Sequence, residues 1–405
     1  MWQQPARSRL IVLAAAALCA PALAAPPTVL APAAGSELAG FQLALPGRAF
    51  VFPHDHGPHP DFRHEWWYLT GNLDAANGER FGFELTFFRF ALLPPAAPPP
   101  DGGTAAAAPG AAAATPGSAP APSAWRARQI YLAHFAISDV SQQRFRFAQK
   151  LSRAAIGLAG AEAQPLHVWI DDWSLAEAAP AGPPEPAPRD NTWSLHAAQP
   201  GYEIALTLIP EGVPVLNGTD GVSQKSGNPA DANYYYSIPR VAVHGRLLRG
   251  TETLEVRGLA WLDREWGSGG LGANEEGWDW FALQLDDGTA LMFYALRARG
   301  GGRDPHSAGT WIAAGTGTRP LANADVDIAA TAEWRNSDGV RYPAGWRIRV
   351  PALALDVSVR PVLADQELKT SPPYWEGAVD ASGTRAGRSV RGRGYVELVG
   401  YAQER

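Results

Sequence analysis

The sequence predicts an all-β protein made of two similar antiparallel domains in tandem. Three observations lead there. Short runs alternate apolar and polar residues with the two-residue period of a half-buried strand, no stretch carries a convincing long amphipathic helix, and one aromatic hairpin pattern occurs twice. Many short strands joined by glycine-containing turns imply a sandwich or a barrel.

The strand elements follow in chain order. In "FGFELTF", Phe81, Phe83, Leu85 and Phe87 alternate with Gly82, Glu84 and Thr86; "TLEVRGLAWLD" and "RGYVELVGY" alternate in the same way, and "DDG" at 286–288 is a hairpin turn. Laid without gaps, "WWYLTGNLD" at 66–74 matches "WDWFALQLD" at 278–286, pairing Trp66 with Trp278, Tyr68 with Trp280, Leu73 with Leu285 and Asp74 with Asp286. Each is followed by a glycine turn and a second strand ending in arginine, Arg89 and Arg297. The echo is expected of two related β-domains.

A length of 405 residues exceeds one ordinary core, which also favours two domains. Residues 1–24 have the form of a secretory signal, with Arg7 and Arg9 before an apolar stretch from Ile11 to Leu18 and a small-residue cleavage site at Ala22-Leu23-Ala24. The mature chain is therefore expected in the periplasm or secreted. Cys19, the single cysteine, lies inside that signal, so the mature protein rests on its cores without disulfides. Expected next are a linker over 25–50 and an N-terminal domain over 51–239. It is interrupted at 94–124 by an Ala/Pro-rich segment too poor in large side chains to offset its ordering entropy. A shorter segment of this kind occupies 179–189, and the C-terminal domain is expected over 240–405.

A net charge of −6 with no block of lysine or arginine excludes a phosphate-tracking nucleic-acid protein. Beyond the signal, no apolar run reaches the roughly 20 residues of a membrane-spanning helix. Nucleophile-elbow, Walker and dinucleotide-binding glycine motifs are missing, so nucleotide and acyl-serine chemistry lack their parts. No cofactor is called for.

What remains is acids beside large aromatics. In "GLAWLDREWGSGG", Asp263 shares a strand face with Trp261 and Leu259; Asp279 falls with Phe281, Leu283 and Leu285; and Glu376 follows Tyr374 and Trp375. On a solvated rim such acids pair with neighbouring charges and do nothing further. Held among indoles and leucines, a carboxyl has its pKa raised and serves as a general acid at neutral pH. Asp263, Asp279 and Glu376 are thus the catalytic candidates. Trp261, Trp266, Trp278, Trp280, Trp66, Tyr68, His64 and Trp375 are the candidate walls of a ligand site. The cluster His54, Asp55, His56, His59, His64 and Glu65 has no spacing with a metal-binding rationale, so no metal ligands are assigned. Its groups are expected to hydrogen-bond a loop and close one barrel end.

Together, "FPHDHGPHP", "EWWYLTGNL", "YYYSIPR", "GLAWLDREWGS", "GWDWFALQLDDG", "YWEGAV" and "GRGYVELVGY" resemble the motif series of the secreted AttH proteins, relatives of the carotenoid 1,2-hydratase family. The resemblance runs from about Phe52 to Tyr401 and implies two lipocalin-like β-barrels packed together. The hydratases add water to a terminal isoprenoid double bond without a cofactor, whereas AttH proteins have been labelled hydrolases. Carried over, the hydratase acid falls on Asp263, with Trp261 as the preceding aromatic. Arg264-Glu265-Trp266-Gly267 departs from the hydratases' short Asp-x-Asn-x-Gly run. Two functions are implied for a protein whose partner is a hydrophobic small molecule, an isoprenoid or lipid: acid-promoted hydration of an alkene, or non-catalytic carriage. An accessory role beside a periplasmic exporter is a third.

Overall fold

The computed structural model describes residues 38–95, 127–178, 191–315 and 317–402. The expected signal and most of the two Ala/Pro-rich segments lie outside them. Of the expected linker, the described part packs on the first domain: Ala44 is fully buried, and the Phe50 ring lies 5.6 Å from that of Trp266.

Two antiparallel sheets hold nearly all the regular structure. The first contains β1 (His64–Ala75), β2 (Arg80–Ala91), β3 (Gln129–Asp139), β4 (Arg144–Arg153), β5 (Ala159–Ala163), β6 (Leu166–Ile170), β7 (Trp173–Glu177), β8 (Trp193–Gln199), β9 (Tyr202–Pro210), β10 (Val215–Leu216), β11 (Val222–Gln224), β12 (Ala232–Arg249) and β13 (Glu252–Gly267). Its order is β4-β3-β2-β1-β13-β12-β9-β8-β7-β6-β5, with β10 and β11 on β12. The second contains β14 (Glu275–Leu285), β15 (Ala290–Ala298), β16 (Ala308–Ile312), β17 (Thr318–Ala322), β18 (Asp327–Arg335), β19 (Arg341–Val350), β20 (Leu355–Pro361), β21 (Glu367–Leu368), β22 (Tyr374–Arg385) and β23 (Arg388–Val399). Its order is β17-β16-β15-β14-β23-β22-β20-β19-β18, with β21 on β22. One sheet curls into a nearly closed barrel and the other into a half-barrel, in agreement with the all-β, lipocalin-like expectation.

The repeated hairpins occupy matching places, β1–β2 in the first sheet and β14–β15 in the second, each beside a late strand of its own sheet. Their turns use Gly78 (φ +87°) and Gly288 (φ +83°), where a side chain would strain the backbone. The passage between sheets is not at residue 240. That position falls inside β12, which with β13 completes the first sheet, and the crossing is made by residues 268–274. The register of β13 between β1 and β12 fixes this, because a sheet cannot be divided within a strand that is paired on both sides.

Each sheet buries its own core on its concave side. Leu69, Phe83, Phe135, Ile204 and Leu262 belong to the first core, and Phe281, Phe293, Trp346, Val357 and Val396 to the second. The opposite faces of β1, β2, β12 and β13 then lie against those of β14, β22 and β23, around a third cluster that includes Tyr68, Tyr235, Trp261, Trp280, Met292 and Tyr395. The approach is close: a Cβ added at Gly82 would come within 2.6 Å of both Ala378 Cβ and the Tyr395 hydroxyl. Polar contacts bridge the seam, among them Gln284 Nε2 to the carbonyls of Pro239 (2.8 Å) and Ala260 (2.9 Å), and an Arg393–Asp74 ion pair at 2.7 Å.

Candidate active site

Alternation along β13 turns Trp261, Asp263 and Glu265 toward the second sheet and Arg264 and Trp266 into the first core. Cross-strand register then sets the neighbours. Asp263 stands opposite Tyr68 on one side and Ser237 on the other, while Glu265 stands opposite Trp66 and Tyr235. From the second sheet, Trp280 faces them, flanked by Tyr294 and Glu397.

Between the sheets lies a cavity of about 190 Å³. Its floor is buried and includes Asp263, Tyr235, Tyr68 and Trp280. Its mouth is marked by lining residues that keep solvent exposure: Trp66, Phe88, Leu132, Trp278, Gly270 and the Ser371-Pro372 loop. Most of the lining is apolar or aromatic, with a few convergent polar groups, which is the character of a small-molecule site.

Three donors converge on the Asp263 carboxylate. Ser237 Oγ (2.5 Å) and Trp261 Nε1 (2.6 Å) donate to Oδ1, and the Tyr235 hydroxyl donates to Oδ2. Tyr235 in turn accepts a hydrogen bond from Trp280 Nε1 at 3.1 Å, so the two sheets share this network. Burial pushes the Asp263 carboxyl from 3.8 up to about 7, against the three hydrogen bonds, which favour its ionised form.

A second chain runs along the wall. His64 Nε2 donates to Asn233 Oδ1 (3.2 Å), Asn233 Nδ2 donates to Glu265 Oε2 (3.0 Å), and Lys225 Nζ donates to Glu265 Oε1 (3.1 Å) while lying 4.0 Å from the Tyr294 ring centre. Burial pushes His64 down to about 4, so at neutral pH it is uncharged. Burial works against the Lys225 ammonium too, but Glu265 and Tyr294 outweigh it and hold its pKa above the ordinary value. On the second sheet, Glu397 Oε2 accepts from Trp278 Nε1 at 2.6 Å, and burial pushes Glu397 up to about 7.

The two-sheet frame has counterparts in known proteins. Residues 43–401 match the model of the AttH-like family. The chain belongs to that family. It is similar to the AttH protein of Nitrosomonas europaea, at 32% identity and a TM-score of 0.73 over 89% of this chain and 100% of that one. Kievitone hydratase from Nectria haematococca has a TM-score of 0.62 at 15% identity, over 87% of this chain and 93% of that one, a likeness of fold alone. The dehydratase asqC of Emericella nidulans is 25% identical over 232 residues, 51% of this chain; the chain thus spans 61% of the curated relative it matches.

Of the residues singled out in the sequence of this AttH-like protein, Asp263, His64, Trp66, Tyr68, Trp278 and Trp280 line the cavity together. Trp261 lies one hydrogen bond behind the wall, on Asp263. Glu376 is also one bond behind, accepting from the Tyr68 hydroxyl at 2.7 Å; burial, reinforced by Glu397 and Glu84, holds its pKa well above the carboxylate range. Three candidates are elsewhere. Asp279 faces the second sheet's own side, where Tyr401 donates to it at 2.9 Å and Arg297 lies 3.4 Å away, so it is a structural acid of that sheet. Trp266 points into the first core and stacks on His59 at 3.8 Å. Trp375 points into the second core and donates to the Ala364 carbonyl at 2.9 Å. In each case strand alternation turns the side chain to the concave face.

The polar groups of the histidine-rich stretch hydrogen-bond or pair with one another and with β1, β2, β12 and β13 of the first sheet. Glu65, fully buried, is paired with both Arg89 and Arg264, and accepts from the His59 backbone N–H at 3.0 Å. Asp55 accepts from Arg48 (2.8 Å) and from the Val51 backbone N–H (2.8 Å). Sequence reading missed Tyr235, Ser237, Lys225, Glu265, Asn233 and Glu397, and also His134 of β3, which lines the cavity too. "YYYSIPR" carried the signal for two of them, since Tyr235 and Ser237 share one face of β12.

Proposed function

We propose that this protein is a cofactor-free hydro-lyase that adds water to, or removes it from, an apolar isoprenoid or lipid-like substrate held between the two sheets. One observation carries the proposal: Asp263, with its pKa at about 7, lies at the floor of an aromatic cavity with its carboxyl oriented by Tyr235, Ser237 and Trp261. Such a carboxyl is available in both protonation states at neutral pH, as a group that gives and retrieves a proton must be. Its proton passes to an alkene carbon and leaves a tertiary cation. The faces of Trp280, Trp278 and Tyr68 stabilise that charge by about 0.5–2 kcal/mol each, and water captures it. Dehydration is the same path reversed. The hydratase and dehydratase names among the relatives support this chemistry without supplying the substrate.

At about 190 Å³ the cavity somewhat exceeds the roughly 150 Å³ void that holds a benzene ring, so it takes the reacting end of a ligand. We place the protein in the periplasm or outside the cell, on the strength of the signal-like first 24 residues. The test is incubation with a panel of trisubstituted alkenes and their tertiary alcohols in heavy-oxygen water, read by mass spectrometry. Asp263→Asn should abolish label incorporation while apolar binding persists. A stoichiometric lipid recovered with the protein, and no label gained by any substrate, would instead assign it to carriage.

A further inference from the structure

Glu397 stands on the cavity wall facing Asp263, contributed by β23 of the second sheet. Its strand neighbours Val396 and Leu398 are fully buried, yet Glu397 itself keeps accessible surface because it opens onto the cavity. One carboxylate oxygen is fixed by the Trp278 indole at 2.6 Å. No lysine or arginine among the described residues pairs with it; Lys225, the cation of the cavity, is engaged by Glu265. A carboxyl deep between two sheets with no counter-charge is expensive for a purely structural group.

Resting on the hydro-lyase proposal, we infer that Glu397 is the second acid–base group of the cavity, working on the water while Asp263 works on carbon. In hydration the Asp263 proton forms the new C–H bond and the alkene becomes a cation. As the water oxygen bonds to that cation, Glu397 takes one of its protons, and the alcohol is released. Asp263 is then anionic and Glu397 protonated, and return of one proton from Glu397 to Asp263 restores the starting state. In dehydration Glu397 protonates the leaving hydroxyl and Asp263 accepts the carbon-bound proton. Both acids are ionised only while the cation lies between them, so the net charge of the pair and substrate stays at −1 throughout, which suits a cavity with little water.

The surroundings are consistent with one proton shared across the gap. Facing Glu397 are Glu376 on β22, Glu84 on β2, Asp263 and Glu265 on β13, Lys225 ahead of β12, and the neutral groups Tyr68, Tyr235, Tyr374 and His134. Burial pushes Glu84 and Glu376 well above the carboxylate range, so these two stay neutral behind the wall and do not compete for the role. The oxygens of Glu84, and Oε2 of Glu376, are sealed from solvent, and neither residue lines the cavity.

The test uses benzyltrimethylammonium and its uncharged isostere neopentylbenzene, with binding followed by tryptophan fluorescence of the full chain. The wild type should prefer the cation by about tenfold at pH 8, where both acids are ionised. Glu397→Gln, which keeps the acceptor for Trp278, should cut that preference at least about threefold. Unchanged affinity for neopentylbenzene certifies the fold. In Asp263→Asn the residual preference should still rise through neutral pH, and that rise belongs to Glu397; this profile decides the matter alone if Glu397→Gln does not fold. An unaltered preference in Glu397→Gln, or a flat pH profile in Asp263→Asn, overturns the role of Glu397 and leaves that of Asp263 standing. A wild type that binds neither probe, or shows no preference between them, overturns both.

Discussion

Asp263→Asn should make the protein more stable, and increasingly so as pH rises. The Asp263 side chain is 3% exposed, and its pKa moves from 3.8 to about 7 on folding. Below pH 3.8 the carboxyl is neutral in both states and the shift costs nothing. Between 3.8 and about 7 the unfolded chain ionises while the folded protein holds its proton, so stability falls as pH rises and levels off above the folded value. At about 1.4 kcal/mol per pH unit the full penalty is roughly 4 kcal/mol, of which about 1.5 kcal/mol is already present at pH 5. Asparagine keeps an acceptor for Ser237 and Trp261 and carries no charge, so the variant escapes the penalty. Urea unfolding at pH 5 and pH 8.5 should show its advantage over the wild type widening by about 2–3 kcal/mol. A stability difference that does not change between the two pH values would refute the raised pKa, and with it the poised acid.

Tyr235→Phe removes one donor from the ionised carboxylate and orphans Trp280 Nε1. The Asp263 titration, followed by NMR of carboxyl-labelled aspartate, should move up by about one pH unit, and no movement would detach Tyr235 from the acid. Glu65→Gln leaves Arg89 and Arg264 buried without their anion and should cost about 3–5 kcal/mol in denaturant unfolding. Burial works against the Glu65 carboxylate, but the two arginines hold its pKa well below 4.5. Its contribution is therefore present above pH 4.5 and lost as pH falls, so the variant should resemble the wild type in strong acid. Trp266→Leu should lower stability by about 3 kcal/mol or more with no change in benzyltrimethylammonium affinity, whereas Trp278→Phe should weaken that affinity and spare stability. Gly82→Leu should destabilise the protein and loosen the seam, read as faster amide exchange along β1 and β23, because its side chain would enter the space of Ala378 and Tyr395.

Strand parity carried much of this fold in the sequence. The alternation in 81–87, the paired hairpins and the shared face of Trp261 and Asp263 each depend on a period of two, which local sequence reports directly. Parity placed Asp279 correctly with Phe281 and Leu283. It could not tell that β14 is buried on both faces, one against its own core and the other against the opposite sheet. Trp266 and Trp375 illustrate a related failure: each is adjacent in sequence to an acid that faces the seam between the sheets, Glu265 or Glu376, and is for that reason on the other side of its sheet. The domain limit was misplaced because β12 and β13 return to pair with strands laid down far earlier, and such long-range register leaves no local mark. Lys225, Glu397 and His134 come together through the same long-range pairing and through the contact between sheets.

Because the cavity is a seam, neither half of the polypeptide owns it. A cut in the segment 268–274 would leave two fragments, each with its hydrophobic interior intact and each displaying one bare wall. The interiors can therefore drift in sequence as scaffolding, while the paired exteriors evolve jointly as one jaw against another.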